Sequence, residues 1–151
     1  MQPEDNLNQK NDIIVGLDCG TRRTGVALAE PTSTLAFPCT VLETEPQATL
    51  AKRLQTAVGN RHLVLLVVGL PLDQYSSEGP AAQQARNLGQ ALAAQLGCPV
   101  TYIDERFSSR DTFARRREAG IKAKTIKRDL DAWAATSILQ AYLEQQNQQN
   151  S

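Results

Sequence analysis

Histidine is almost missing from this chain: His62 is the only one among 151 residues. Imidazole chemistry, as a general base or as a cluster of metal ligands, therefore has little to work with, and His62, placed ahead of an apolar run, reads as structural. Cysteine is scarce as well. Cys19, Cys39 and Cys98 are odd in number, widely spaced and free of any Cys-x-x-Cys pair, which weighs against a disulfide framework, zinc binding and dithiol redox chemistry. Buried, reduced thiols are expected instead. No apolar run approaches the roughly 18 residues that a spanning helix needs, so no membrane is expected as a partner. Met1 to Asp12 is polar and acidic, without the apolar stretch of a secretory signal or the Arg-rich character of a transit peptide, and the expected location is cytoplasmic. Net charge is lacking too: 16 basic and 16 acidic residues cancel, which argues against a chain that holds nucleic acid by overall charge.

What the chain does contain is 41% apolar residues in a length that suits one domain with a real core. Residues 1–12 and 144–151 are expected to be disordered tails, being too polar to order themselves. Between them, over 13–143, the pattern reads as three strands followed by alternating helices and strands. Ile13 to Asp18 is the first strand, Gly25 to Ala29 the second, and Phe37 to Leu42 the third. Thr44, with Pro46 and Gln47 after it, reads as a helix start, with Leu50, Leu54, Ala57 and Val58 at helical spacing. Leu63 to Val68 is apolar on both faces, as a doubly covered central strand would be. Gly79-Pro80 opens a helix whose inward stripe is Ala81, Ala85, Leu88 and Leu92, and Gly97 ends it. Val100 to Asp104 is the fifth strand. An Arg-rich helix from about Ser108 to Gly120 and a last helix from about Lys127 to Tyr142 complete the pattern. Such an order predicts an α/β fold: a mixed sheet with helices on both faces.

Three carboxylates stand out against this frame. In open α/β sheets the ligand crevice lies outside the carboxyl ends of the parallel strands. Asp18 ends the first strand and Glu105 the fifth, and alternation puts Ile14, Gly16 and Asp18 on one face, and Thr101, Ile103 and Glu105 on one face. Asp104 should point the other way, and so should Cys19. Asp131 shares a helix face with Ala135, Ile138 and Tyr142, a face that must pack on the sheet, where a carboxylate is costly without a partner. Each acid alone has a structural reading, Asp131 as a residue favoured near a helix N-terminus. Together they suit Mg²⁺ or Mn²⁺, which prefer oxygen ligands, and two such ions can stabilise both oxygens of an in-line phosphoryl displacement without a histidine base. Gly69, at the end of the fourth strand, leaves room there if that strand lies between the first and fifth.

Charge is unevenly spread. Arg106 to Arg128 holds nine of the 16 Lys and Arg residues and only two acids, whereas residues 1–105 hold seven basic and 11 acidic groups. Arg106, Arg110, Arg115, Arg116, Arg117, Lys124 and Lys127 are the candidate nucleic-acid-binding residues, the alternative being a solvated helix face.

Asp18-x-Gly20-x-x-x-x-Gly25-Val26-Ala27, Val68-Gly69-Leu70-Pro71-Leu72, Glu78-Gly79-Pro80, Asp104-Glu105-Arg106-Phe107-Ser108-Ser109 and Asp131-x-x-Ala134-Ala135 resemble, in order, the motifs of the YqgF/RuvX family, from about Ile13 to Leu143. The resemblance implies a ribonuclease H-like fold with strand order 3-2-1-4-5 and the first three strands antiparallel. It implies a metal-dependent nuclease related to Holliday-junction resolvases, with 5′-end processing of pre-16S rRNA as the expected role and Asp18, Glu105 and Asp131 as catalytic acids and metal ligands. Arg106 stands at the motif's arginine, suited to a bidentate phosphate contact. The expected partners are RNA, specifically pre-16S rRNA, or structured DNA, bound by a monomer or homodimer; a junction resolvase would need two symmetry-related sites. Two other readings compete: a ribosome-assembly factor that binds nucleic acid without cutting it, and an actin- or sugar-kinase-like phosphate binder, which would need a second domain.

Overall fold

Alternation in the first strand, β1 (Asp12–Cys19), decides which residues meet which layer. Ile13, Val15 and Leu17 enter one core, and Ile14 enters the other. The computed structural model describes residues 11–73, 75, 77–105 and 130–149. Its elements are β1, β2 (Arg23–Ala29), β3 (Phe37–Glu43), a 3₁₀ turn (Gln47–Thr49), α1 (Leu50–Val58), β4 (His62–Leu70), α2 (Pro80–Leu96), β5 (Val100–Asp104) and α3 (Leu130–Gln149). They form a five-stranded sheet in the order β3-β2-β1-β4-β5. β1 pairs antiparallel with β2, and β2 with β3. β4 lies parallel between β1 and β5. This is the ribonuclease H-like arrangement expected, with helices on both faces.

The central strand is dry on both sides, as its composition predicts: Leu66, Val67 and Val68 are fully buried. α1 and α2 cover the face that carries Leu17, Leu66 and Val68. α3 covers the face that carries Ile14, Val67 and Ile103. It approaches β1 so closely that a Cβ on Gly16 would stand 2.7 Å from Leu139 Cβ and 3.1 Å from the Ala135 carbonyl. A second tie is polar. The Gln140 amide accepts from the Ala36 backbone N–H at 3.0 Å and donates to the Thr34 carbonyl at 2.8 Å, fastening α3 to the β2–β3 connection.

Three helix details differ from the sequence reading. Thr44 does not start a helix, because its hydroxyl is committed to tertiary bonds; the 3₁₀ turn begins at Gln47 and α1 at Leu50. The inward stripe of α2 begins at Ala82 rather than Ala81. α3 does not end near Tyr142 but continues to Gln149, so residues 144–149, read as part of a polar tail, form its last turns. Glu and Gln have good helix propensity, and an established helix is extended one hydrogen bond per residue with little cost. α3 is also buried around more of its circumference than one stripe: Trp133, Thr136, Ser137 and Ala141 are buried along with Ala135, Ile138 and Leu139. The Arg-rich segment predicted as a helix lies outside the described residues, as do residues 1–10 of the predicted N-terminal tail.

The close seat of α3 gives a direct test. Gly16→Ala forces helix and sheet apart against backbone and a side-chain root, not a flexible tip. It is expected to destabilise the fold by about 1–3 kcal/mol in urea titration, the usual cost of overpacking a dense core.

Candidate active site

Strand order brings the carboxyl ends of β1, β4 and β5 together, with β4 in the middle. Asp18 is the penultimate residue of β1, and Glu105 follows β5 directly. Between them β4 contributes Gly69, which is registered with Ile103. A side chain at Gly69 would not fit. Its Cβ would lie 2.9 Å from Glu105 Cγ, 3.0 Å from Glu105 Oε1 and 2.5 Å from Ile138 Cδ1. The bare backbone of Gly69 is thus what allows Glu105 to lean across β4, where it shares a hydrogen bond with Asp18.

Two carboxyl groups in such contact cannot both ionise freely. Burial pushes Glu105 up from the ordinary carboxylate range to about 7, and the neighbouring Asp18 charge, the hydrogen bond to Asp18 and the Asp104 charge add to the effect. Near neutral pH the pair therefore hovers between one proton and none. Cys19 points to the opposite side, as alternation predicts, and packs against the α1–α2 core. Its thiol is pushed up to about 12 by burial and then by Asp18 and Glu105, so it stays protonated and unreactive. All three cysteines are free and half-buried, not fully buried as expected. His62 sits at the far end of the sheet, with Nδ1 3.0 Å from Asp12 Oδ1.

The turn after Asp18 is braced by residues whose part the sequence did not reveal. Buried Thr44 donates its hydroxyl proton to the Gly20 carbonyl at 2.7 Å. Its oxygen lies 2.8 Å from Thr24 Oγ1, and since Thr44 has only one proton, Thr24 is the donor of that bond. Two buried threonines 20 residues apart gave no local pattern from which to infer this. The loop after β4 is fastened too. Leu72 and Glu78 form a β-bridge, and Glu78 takes a bidentate ion pair from Arg86 of α2, both contacts at 2.7 Å. The Arg86 guanidinium also lies 4.8 Å from the centre of the Tyr102 ring.

Of the sequence-derived site residues, the structure brings Asp18 and Glu105 together. Asp131 lies in the first turn of α3, one turn before Ala135, whose carbonyl abuts Gly16; its side chain lies outside the described residues. Arg106, Arg110, Arg115, Arg116, Arg117, Lys124 and Lys127 also lie outside them. Among the described residues no cluster of three potential metal-ligating side chains forms, so the Asp18–Glu105 pair is the part of the candidate site that the geometry describes. Nor is any described helix long and apolar enough to cross a membrane.

The family model described as "RuvX: Holliday junction resolvase" matches residues 12–145. A protein of Chloroflexus aggregans named "Putative pre-16S rRNA nuclease" is 38% identical over 131 residues, covering 87% of this chain and 92% of the relative. A protein of the same name from Mycobacterium ulcerans is 39% identical over 132 residues, covering 87% of this chain and 78% of the relative. Among solved structures, Thermus thermophilus RuvC in complex with a Holliday junction aligns with TM-score 0.56 at 15% identity, over 85% of this chain and 90% of that one. The fowlpox virus Holliday junction resolvase aligns with TM-score 0.52 at 14% identity, over 88% and 99%. At such identities these two likenesses speak for the fold.

The raised Glu105 titration carries a sign. A carboxyl group that binds its proton more tightly in the folded state favours folding below its unfolded value of 4.5, and that contribution is lost as pH rises through about 7. With chelator present, unfolding free energy is expected to fall between about pH 5 and pH 8 through this pair. Asp18→Asn removes the opposing charge, so chemical denaturation should show a flatter slope in that window. An identical slope in the variant would assign the effect to other groups.

Proposed function

Because this chain belongs to the RuvX family, whose model carries the description Holliday junction resolvase, we propose that it is a divalent-metal-dependent endonuclease that hydrolyses phosphodiester bonds. The observation that carries this reading is the Asp18–Glu105 pair, held at the carboxyl edge of the sheet across Gly69. An all-oxygen, doubly acidic pair fits Mg²⁺ or Mn²⁺. Bound there, such a cation would stabilise the charge that develops on a phosphodiester during in-line displacement. Asp18 and Glu105 would hold it, with Asp131 as the third ligand from α3.

The residues' own contributions follow from their chemistry. Asp18 is positioned by the threonine-braced turn behind it. Glu105 must lose its proton to act as a ligand, so binding the cation and deprotonating the pair are one event. Arg106 follows Glu105 directly in sequence and is suited to grip a phosphate flanking the reacting one. The basic residues Arg110, Arg115, Arg116, Arg117, Lys124 and Lys127 would track the nucleic-acid backbone. The names of the relatives favour structured RNA, and among such substrates the 5′ end of pre-16S rRNA in ribosome biogenesis. A cytoplasmic location follows from that role.

The test is cleavage of a 5′-extended 16S rRNA precursor with Mg²⁺ or Mn²⁺, with four-way DNA junctions in parallel. The expected result is metal-dependent cutting of the RNA that falls by roughly 10²–10³-fold in folded Asp18→Asn, the scale of losing a charge-stabilising group. Cutting of the junction alone would make the substrate DNA, and RNA binding without any cutting would favour an assembly factor. Gly69→Ala is a gentler probe. It displaces Glu105 and presses on the tip of buried Ile138, so activity of the folded variant should fall about 10²-fold alongside a loss of about 1–3 kcal/mol in stability, read by urea titration.

A further inference from the structure

A cavity of about 150 Å³ opens on the other side of the same sheet edge. Cys19 lines it, and Cys19 is the strand neighbour of Asp18. Cavity and carboxylate pair therefore stand back to back across the end of β1, about 3.8 Å of backbone apart.

The lining of the cavity selects among ligands. Cys19 and Leu88 of α2 supply apolar surface; Thr21, Gln47 and Gln84 supply a hydroxyl and two amides; Glu45 supplies a carboxylate. Among the described residues neither Lys nor Arg lines it. A phosphate would meet a negative charge with no cation to offset it. A purely aliphatic group would desolvate amides without satisfying them. A nucleobase meets both demands. Its ring face suits Leu88 and Cys19, its edge carries donors and acceptors that amides read well, and an exocyclic amine suits Glu45. The polar wall is already ordered. Glu45 Oε1 accepts from Gln47 Nε2 at 3.1 Å and Glu45 Oε2 from the Gln47 backbone N–H at 3.2 Å, which leaves the Gln47 amide oxygen to accept from a ligand. Thr44, also in the lining, has its hydroxyl proton committed to Gly20 and does not compete.

We propose that this cavity receives the base of one unpaired nucleotide next to the phosphate that reacts at Asp18 and Glu105. The inference rests on the nuclease reading and adds a requirement to it: the substrate strand crosses the sheet edge at the end of β1, with its reacting phosphate on the α3 side and a splayed base on the α2 side. A fully paired duplex cannot deliver a base to such a cavity without opening.

Two measurements test it. In the first, isotope-labelled full-length protein with chelator is titrated with the four nucleoside 5′-monophosphates and with ribose 5-phosphate, and backbone amides are followed by NMR. Shifts at Gly20, Thr21, Gln47 and Gln84 are expected with nucleotides, differing among bases and absent with ribose 5-phosphate. Gln84→Trp, an exposed helix position from which an indole would fill the cavity, should abolish them. In the second, an abasic residue next to the cut should raise the wild-type KM about tenfold, the scale of losing one good base contact. Gln84→Trp should show that rise on the intact substrate and be indifferent to the abasic one, and Gln47→Ala should move in the same direction with less bulk. Absent shifts, equal shifts with ribose 5-phosphate, or wild-type KM in Gln84→Trp would overturn the proposal. If the wild type cuts nothing, the nuclease reading fails by itself, and the titration still decides whether the cavity takes a base.

Discussion

Asp18 and Glu105 are forced into hydrogen-bond contact, where each opposes the ionisation of the other, and the architecture around them serves to keep them there. Left to themselves the two groups would separate into water. They stay together because each is rooted at the carboxyl end of a strand fixed in the sheet, and because β4, which intervenes, has only a hydrogen at Gly69 where any other residue would fill the gap. The cost appears in Glu105, whose proton is held to about 7. On the proposed reading, a divalent cation bound there would relieve this repulsion.

The forces that hold the frame are of a different kind and larger in sum. Fully burying a Leu or Ile side chain contributes about 1.5–3 kcal/mol, and Leu17, Leu66, Ile138 and Leu139 are among those with almost no exposure. Surface ion pairs such as Arg61 with Glu30, 3.4 Å apart, contribute at most about 1 kcal/mol. The polar contacts that matter are the buried, well-satisfied ones: Gln140 to the β2–β3 connection, and Thr44 to Gly20. One seats α3, whose first turn contains Asp131; the other fixes the turn behind Asp18. Neither belongs to the carboxylate pair, yet both bear on the elements that surround it.

The two faces of the sheet edge divide the work because a strand alternates. Asp18 and Cys19 are adjacent in sequence, but one meets Glu105 and the other lines a cavity walled by amides, a hydroxyl and the Glu45 carboxylate. The carboxylate pair and the recess are thereby held within one residue of each other without mixing. That separation is a property of β geometry.

Much of this was readable in the residues. The strands, the doubly buried Leu66-Val67-Val68 and the shared face of Ile14, Gly16 and Asp18 follow from local periodicity, which repeats every two residues in a strand and so leaves a clear trace; the strand order and directions follow from the family resemblance instead. The choice of Glu105 over Asp104 came from the same rule. Other features left no such trace. Thr44 resembles a helix cap in sequence, but its hydroxyl serves Gly20. Glu144 to Gln149 resemble a tail, but they continue α3. The Gln140 tie to Thr34 and Ala36 and the cavity between Thr21, Gln47 and Gln84 join segments that the chain keeps far apart. Local pattern reports how a residue relates to its near neighbours; side-chain contacts across 20 or more residues depend on how layers are stacked, and only the folded packing decides which polar group finds which partner, and how far two like charges can be pressed together.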